Sequence, residues 1–254
     1  MITSLPMYDR AETFAANDRL WALIRNHPAL KPYQTPQTLT RGGDLWDQWK
    51  NPQMFLSQTC GLPFRSRLHH KVSLIGTPVY DLPGLRAGYY YSIFVARRSD
   101  PRKGLADFAG ATYAYNESVS QSGWGGPYAH ATARDVAFGT TLGTGAHQNS
   151  AQAVAEGRAD ITAIDALTWE FIKRWDSSAS TLKEIDATDE TPALPYISAV
   201  GLTIDGDPDD LRTAIRAALA DLSPADRSLL GLKDLTFVTP KEYLSVPNPP
   251  APPA

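Results

Sequence analysis

Strand-like and helix-like runs alternate along most of this chain, and that alternation limits the possible folds more than any other feature. "ITSLPMY" is typical of a short strand, and "AETFAANDRLWALIRNH" follows with apolar residues near helical spacing until Pro28 closes the run. The pattern returns later, where the strand-like "ADITAID" precedes the helix-like "ALTWEFIKRW". Such alternation favours an α/β protein with largely parallel sheets.

Two β-rich stretches interrupt the alternation, at about residues 84–97 and 192–204. We interpret them as a pair of crossings between two lobes, the first of which is assembled from both chain ends. The predicted lobe 1 comprises residues 1–88 and 200–245, and lobe 2 comprises residues 89–199. Residues 246–254 form a Pro-rich tail, predicted to be extended and polyproline-like with no part in the core.

Composition excludes several classes of partner. The formal net charge of the 254 residues is −3, and Lys and Arg are scattered, so nucleic acid is not expected as a partner. No apolar run approaches the roughly 18 residues that a membrane span needs, so no membrane insertion is expected. Cys60 is the single cysteine, which rules out an internal disulfide and favours a buried structural thiol.

Motifs for metals and cofactors are missing. The sequence has neither HExxH nor CxxC, and His69, His70 and His130 have no partner at metal-ligand spacing, so no metal is predicted. Walker A and GxGxxG turns are missing as well, which argues against nucleotide chemistry. We therefore expect no cofactor.

The stretch "SQSGWGG" lies where a strand-like run gives way to a helix-like one. The hydroxyls of Ser120 and Ser122 converge there, Gly123 allows close approach to the backbone, and the helix dipole favours negative charge. A tetrahedral oxyanion such as phosphate would suit this turn. The alternative is that Ser122 is an ordinary N-cap.

Two further strand-to-helix turns carry candidate residues. His147, in "GTGAHQNS", could donate to an anionic ligand or act as a base, or it could be a solvated side chain. Asp165 follows "ITAI" and is either an N-cap, an acceptor for a ligand donor, or a residue that orients His147. Tyr89, Tyr90 and Tyr91 alternate faces of a strand, so they cannot all face a ligand.

Taken together, these segments resemble one known family. "SLPMYD", "SQTCGLPF", "DFAGATYAYNESVSQSGWGG", "TGAHQNSAQAVAEGRADITAIDALTW" and "TPALPYISAV" occur in family order over about residues 2–245. The chain is similar to the phosphate/phosphite/phosphonate substrate-binding proteins, the PhnD-like group of type 2 periplasmic binding proteins. "SQSG", the His-x-x-Ser element and "GRADITAIDA" are the most specific of the shared motifs.

The resemblance implies two α/β lobes, each a mostly parallel sheet flanked by helices, joined by two hinge strands and closing on a ligand in the cleft. It implies a non-enzymatic binder of a small oxyanion, with an ABC-type permease as partner. The implied head-group ligands are Ser120, Gln121, Ser122 and Gly123, with His147 and Asp165 facing the ligand. Position in the family pattern is the only reason to add Tyr8, Gln58, Thr59 and Tyr91 as ligand contacts. Trp124 is expected to line the part of the cleft that decides which ligand is accepted.

The chain departs from the family in its first residues, and two other functions stay open. Family members are exported, which implies a periplasmic location, but "MITSLPMYDR" shows no secretory signal, so the sequence as written is typical of a cytoplasmic protein. Ser122, His147 and Asp165 occur in the order nucleophile, base, orienter of a hydrolase, although Gly-x-Ser-x-Gly is missing. A cytoplasmic sensor that passes its ligand state to a partner is the third possibility.

Overall fold

The chain folds into two compact units. A computed structural model describes residues 1–199 and 208–253. Unit 1 comprises Met1–Tyr89 and Pro192–Ser245, and unit 2 comprises Tyr90–Thr191 and Val246–Ala254. The chain therefore passes between the units three times rather than twice, because the Pro-rich tail groups with unit 2. Among the described residues, no helix is both long and apolar enough to cross a membrane.

Strands and helices alternate along the described residues much as the sequence predicts. The strands are β1 Ile2–Thr3, β2 Met54–Gln58, β3 Val72–Tyr80, β4 Tyr89–Tyr90, β5 Ser92–Arg97, β6 Thr112–Tyr115, β7 Thr140–Gly143, β8 Ile161–Asp165, β9 Leu182–Ala187, β10 Thr191–Pro192, β11 Tyr196–Ala199 and β12 Leu232–Thr236. The α-helices are α1 Phe14–Arg25, α2 Leu45–Lys50, α3 Gly61–Pro63, α4 Gly126–Thr132, α5 His147–Ala155, α6 Ala166–Trp175, α7 Pro208–Asp221, α8 Pro224–Leu230 and α9 Pro240–Leu244. Short 3-10 helices span Pro28–Leu30, Leu105–Phe108 and Ser177–Thr181, and π-helical turns span Phe64–Leu68 and Gln121–Gly125.

Unit 1 contains a five-stranded sheet in the order β1-β2-β11-β3-β12. β1 is parallel to β2, but β11 runs antiparallel to both β2 and β3, and β12 is antiparallel to β3. The prediction of a mostly parallel sheet is therefore wrong for this unit. β11 is more than a hundred residues from both β2 and β3 along the chain, so tertiary packing sets its direction and the local alternation does not.

The pairing of β11 with β2 and β3 also shifts the predicted boundary between the two lobes. Residues 192–199, which the sequence places in lobe 2, lie in unit 1, because β11 inserts between β2 and β3. The rest of the predicted β-rich stretch, residues 200–204, lies outside the described residues. The two crossings themselves pair as a small sheet of β4 and β10.

Unit 1 is held by an apolar core between its sheet and two helices. α1 buries Leu20, Trp21 and Ile24 at helical spacing, and α7 presents Ile215 and Leu219 to the same cluster. Each fully buried Leu or Ile side chain contributes roughly 1.5–3 kcal/mol through the hydrophobic effect. This core holds β2, the strand that ends at the predicted site residue Gln58.

Unit 2 has its own five-stranded sheet, in the order β7-β6-β8-β5-β9. β6 is parallel to β7 and β8, while β5 is antiparallel to β8 and β9, so this sheet is also mixed. Each of the three parallel strands is followed by a helical segment. Because carboxyl ends of parallel strands share one edge of a sheet, the three following turns start at the same edge.

Candidate functional site

The predicted head-group residues of unit 2 come together at one sheet edge. β6 leads to the SQSG turn, Ser120–Gly123; β7 leads to His147, the first residue of α5; and β8 ends at Asp165. Tyr91 lies at the same edge, because Ser92 pairs with Asp165 and the Tyr91 carbonyl accepts the Ala166 N–H at 3.1 Å. The structure thus brings together side chains that lie up to 74 positions apart in sequence, from Tyr91 to Asp165.

The SQSG turn opens as a π-helical turn over Gln121–Gly125 and continues into α4. Ser120 is its N-cap, with Oγ accepting the Gly123 N–H at 3.0 Å. The alternative in which Ser122 is the cap is therefore wrong. Ser122 is buried in the first turn of this helical segment, where backbone N–H groups lack intrahelical acceptors.

Gly123 packs closely against Asn116, which leaves little room for a side chain at position 123. A Cβ atom at this position would lie 1.9 Å from Asn116 Oδ1, which is itself buried without a hydrogen-bond partner. The carbonyl of Gly123 accepts the Tyr113 hydroxyl at 2.7 Å. The turn is thus pressed against the end of β6, which sets the position of both serines.

His147 and Ser122 form the central contact of the site. Their Nε2 and Oγ atoms lie 2.7 Å apart, which joins the start of α5 to the SQSG turn. His147 is partly exposed, but its Nδ1 atom is fully buried. Burial lowers the pKa of His147 to about 4, against a smaller opposing effect of the Ala163 carbonyl. The imidazole is therefore neutral near pH 7.

The side chains of Ser120, Ser122 and His147 at this edge are neutral hydrogen-bonding groups. Ser120 Oγ and Ser122 Oγ lie 3.3 Å apart, and both serines are buried. Among the hydrogen bonds and ion pairs of the described residues, none joins an arginine or lysine to Ser120, Ser122 or His147. The ion pairs of Arg97 and Arg102 with Asp160 lie instead at the opposite edge of the sheet, before β8 begins.

Asp165 does not complete a catalytic triad. It is the N-cap of α6, with Oδ1 accepting the Thr168 N–H at 2.8 Å, and it is 2% exposed. No hydrogen bond or ion pair within the described residues joins a carboxylate to His147, as a hydrolase would require. The low pKa of His147 also makes it a weak base.

Trp124, the residue after the SQSG turn, is buried. It is 3% exposed and packs against Tyr113, Tyr115 and Tyr128, with ring centroids 6.2, 5.8 and 5.4 Å away. Its indole N–H donates to the carbonyl of Pro250 in the tail at 2.7 Å. The ring of Trp124 packs in the apolar cluster of unit 2, and its role toward a ligand stays a prediction.

The predicted unit 1 residues cluster around the end of β2. Gln58 Nε2 donates to the Tyr80 hydroxyl at 2.9 Å and to the Leu194 carbonyl at 3.1 Å, so its amide ties strands together. Thr59 is fully buried, and its hydroxyl has no hydrogen-bond partner. Tyr8 packs edge-on against Tyr80 at 4.9 Å. Their roles toward a ligand stay predictions.

Sequence reasoning missed Asn116 and Tyr113, which support the SQSG turn from the end and the middle of β6. The one sequence feature that could have pointed to Asn116 is its position directly after the strand-like run "TYAY". Within the described residues, no group of three or more His, Cys, Asp or Glu side chains is arranged to hold a metal ion. Cys60 is buried.

The two units, each a mixed sheet flanked by helices, have the two-lobed fold of periplasmic binding proteins. Residues 60–242 match the family model described as the periplasmic phosphonate substrate-binding protein of ABC transporters. The chain belongs to this family, and the family resemblance inferred from the sequence is confirmed. It is a family of substrate-binding proteins and not of enzymes, so the hydrolase alternative falls.

Solved structures give the same fold at low sequence identity. PhnD1 from Prochlorococcus marinus, in complex with methylphosphonate, has a TM-score of 0.74 and 14% identity, over 95% of this chain and 94% of that one. A binding protein component of an ABC phosphonate transporter from Pseudomonas aeruginosa has a TM-score of 0.67 and 15% identity, over 96% and 82%. A Xanthomonas citri protein bound to chloride has a TM-score of 0.65 and 14% identity, over 95% and 93%. No curated protein sequence matches the chain.

Proposed function

We propose that this protein binds a small tetrahedral oxyanion, a phosphonate, phosphate or phosphite, at the SQSG turn of unit 2. The observation that carries the proposal is the 2.7 Å contact between Ser122 and His147, which brings the starts of two helical segments to one point. Helix starts favour anions through their N–H groups and their dipoles. The methylphosphonate bound by the Prochlorococcus marinus relative supports this class of ligand.

The donor set explains how an anion could be held without a lysine or arginine. Ser120 and Ser122 are buried, and hydrogen bonds from hydroxyl or backbone N–H groups to a charged oxygen are about twice as strong as bonds between neutral partners. A neutral imidazole offers one donor and one acceptor, so His147 can hold the Ser122 hydroxyl in place while that hydroxyl serves the ligand. Asp165, capping α6 nearby, would accept from a protonated phosphonate oxygen or an amine-bearing ligand.

The transport role follows from the family, with an ABC-type permease as the proposed partner. Closure of two lobes on the ligand, with Tyr8, Gln58, Thr59 and Tyr91 as further contacts, stays a prediction.

A thermal-shift panel tests the ligand class. We expect phosphate, phosphite, methylphosphonate or 2-aminoethylphosphonate to raise the melting temperature, while acetate and malate do not. A ligand at a hundred times its dissociation constant adds about 2.7 kcal/mol to the free energy of unfolding. Protein should first be unfolded and refolded to remove any co-purified ligand, because an already filled site would hide the shift.

Three serine variants locate the site within the panel. Ser122→Ala should abolish the ligand shift with little effect on the unliganded protein. Ser120→Ala should in addition lower the free energy of unfolding by about 1 kcal/mol, since it removes the N-cap. Ser118→Ala is the control, because Ser118 is exposed in the same loop. Retained binding in both Ser120→Ala and Ser122→Ala would disprove the proposed site.

A further inference from the structure

The C-terminal tail of the chain is bound by unit 2. The last ten residues, "SVPNPPAPPA" after Leu244, contain five prolines, and residues 246–253 form neither helix nor strand. Proline fixes φ near −65°, and the residue before a proline is pushed to extended backbone, so this composition favours a polyproline II helix. Such a helix has no internal hydrogen bonds, which leaves its carbonyls free to accept from a partner.

Two carbonyls of the tail are used in this way. The Trp124 indole N–H donates to the Pro250 carbonyl at 2.7 Å, and the Thr141 hydroxyl donates to the Pro253 carbonyl at 2.7 Å. The two acceptors are three residues apart, and a polyproline II helix has three residues per turn, so both carbonyls face the same side. The two donors come from different elements, the turn after β6 and the neighbouring strand β7.

The surface that supplies the donors is aromatic. Tyr115 and Tyr128 pack beside the Trp124 indole, and both are partly buried against the core of unit 2. Aromatic grooves with a polar handle on the ring are the usual way in which folded domains recognise proline-rich segments. Trp124 supplies that handle through its N–H group.

We infer that unit 2 carries a polyproline-binding groove, formed by Trp124, Thr141 and the flanking tyrosines, whose occupant is the tail of the same chain. Trp124 directly follows the SQSG turn, so a docked tail restrains the backbone that carries Ser122 and Gly123. Tail docking and oxyanion binding are then coupled, and the coupling is reciprocal by linkage. The groove stands without the proposed function, whereas the coupling rests on it.

The first experiment measures the groove without any ligand. In full-length protein, the Trp124 indole N–H is assigned by NMR through loss of its signal in Trp124→Phe, and its hydrogen exchange is followed. We expect exchange to speed up at least tenfold in a chain that ends at Ser245 and when the five tail prolines are replaced by Gly and Ser. Unchanged exchange in both tail variants, with intact circular dichroism, would overturn the groove.

Two strand variants test the three-residue spacing. Thr141→Val should speed exchange of the Trp124 indole N–H several-fold, since it removes the second anchor. Thr140→Val is the matched control, because the Thr140 hydroxyl bonds to Thr112 instead. Inserting one alanine after Pro250 turns the second carbonyl away, so Thr141→Val should have no further effect in that background. An undiminished effect there would contradict recognition by turn spacing.

The coupling has a separate readout. Methylphosphonate affinity, measured by calorimetry, should fall about tenfold in the chain that ends at Ser245. Equal affinity in both chains would disprove the coupling and leave the groove standing. No binding of any panel anion to the full-length chain would disprove the proposed function instead, without touching the exchange result. Tail protection that depends on protein concentration would show that the occupant is the tail of a second copy and overturn docking in the same chain.

Discussion

The fold strongly changes the protonation of His147, a group that ordinarily titrates near neutral pH. Its pKa falls from an ordinary 6.5 to about 4, because burial disfavours the charged ring more than the Ala163 backbone favours it. The unfolded chain therefore binds more protons than the folded one between these two pH values. The free energy of unfolding must rise with pH across that window, by the linkage between proton binding and stability.

We expect His147 to contribute stability that is fully present above pH 6.5 and lost as the pH falls toward 4, by roughly 3 kcal/mol in all. Urea unfolding at several pH values, without ligand, measures it. His147→Gln should flatten the pH dependence over this window, whereas His70→Gln should not, since His70 is exposed. An identical pH profile in His147→Gln and the native chain would contradict the assignment.

At the scale of elements, the SQSG turn depends on the fit between two short segments. The π-helical turn and the end of β6 are so close that an added Cβ at Gly123 would meet Asn116 Oδ1 at 1.9 Å and its Cγ at 2.9 Å. The nearest Asn116 backbone atom lies 3.3 Å away, so the collision is mainly with the side chain. Removing that side chain should therefore relieve most of the overlap.

We expect Gly123→Ala to lower the free energy of unfolding by about 1–3 kcal/mol, a typical cost of overpacking, and to weaken oxyanion binding. Asn116→Ala in the same chain should restore most of the loss, which makes the pair a double-mutant cycle. Gly104→Ala is the control, because nothing lies within 4 Å of its Cβ position and φ is −123°. Additive effects of Gly123→Ala and Asn116→Ala would show that the overlap does not govern the turn.

Element type was largely predictable from the sequence, whereas strand direction was not. The run ending before Pro28 forms α1, and the run after Asp165 forms α6, because periodicity and breakers are local signals. The antiparallel placement of β11 is set by partners more than a hundred residues away, β2 and β3. No local pattern records that choice.

At the scale of the whole molecule, the two units have separate hydrophobic cores. The cluster around Trp21 and Ile24 lies in unit 1, and the cluster around Phe94, Phe108 and Tyr113 lies in unit 2. Compact units with their own hydrophobic cores tend to unfold locally and separately. The chain passes between the units at residues 89/90, 191/192 and 245/246.

We therefore expect Ile24→Ala, which costs about 2–5 kcal/mol, to raise hydrogen exchange in unit 1 while β6 and β8 stay protected. Hydrogen exchange followed by mass spectrometry resolves the two sets of peptides. Leu23→Ala is the control on the same helix, because Leu23 is 36% exposed. An equal rise of exchange in both units would show that they unfold as one.

The sequence by itself predicted the family and the α/β class, both of which are confirmed, and it supplied the proposed head-group residues of unit 2, because strand-to-helix turns and their polar residues are local features. Ser120, Ser122, His147 and Asp165 were all identifiable from single stretches of chain. Only the tertiary structure decided which serine caps the turn, that Ser122 meets His147, and that the tail reaches Trp124. The last two contacts depend on distances between separate segments, which packing of the whole unit sets and no local pattern encodes, whereas the cap depends on the local geometry of the turn.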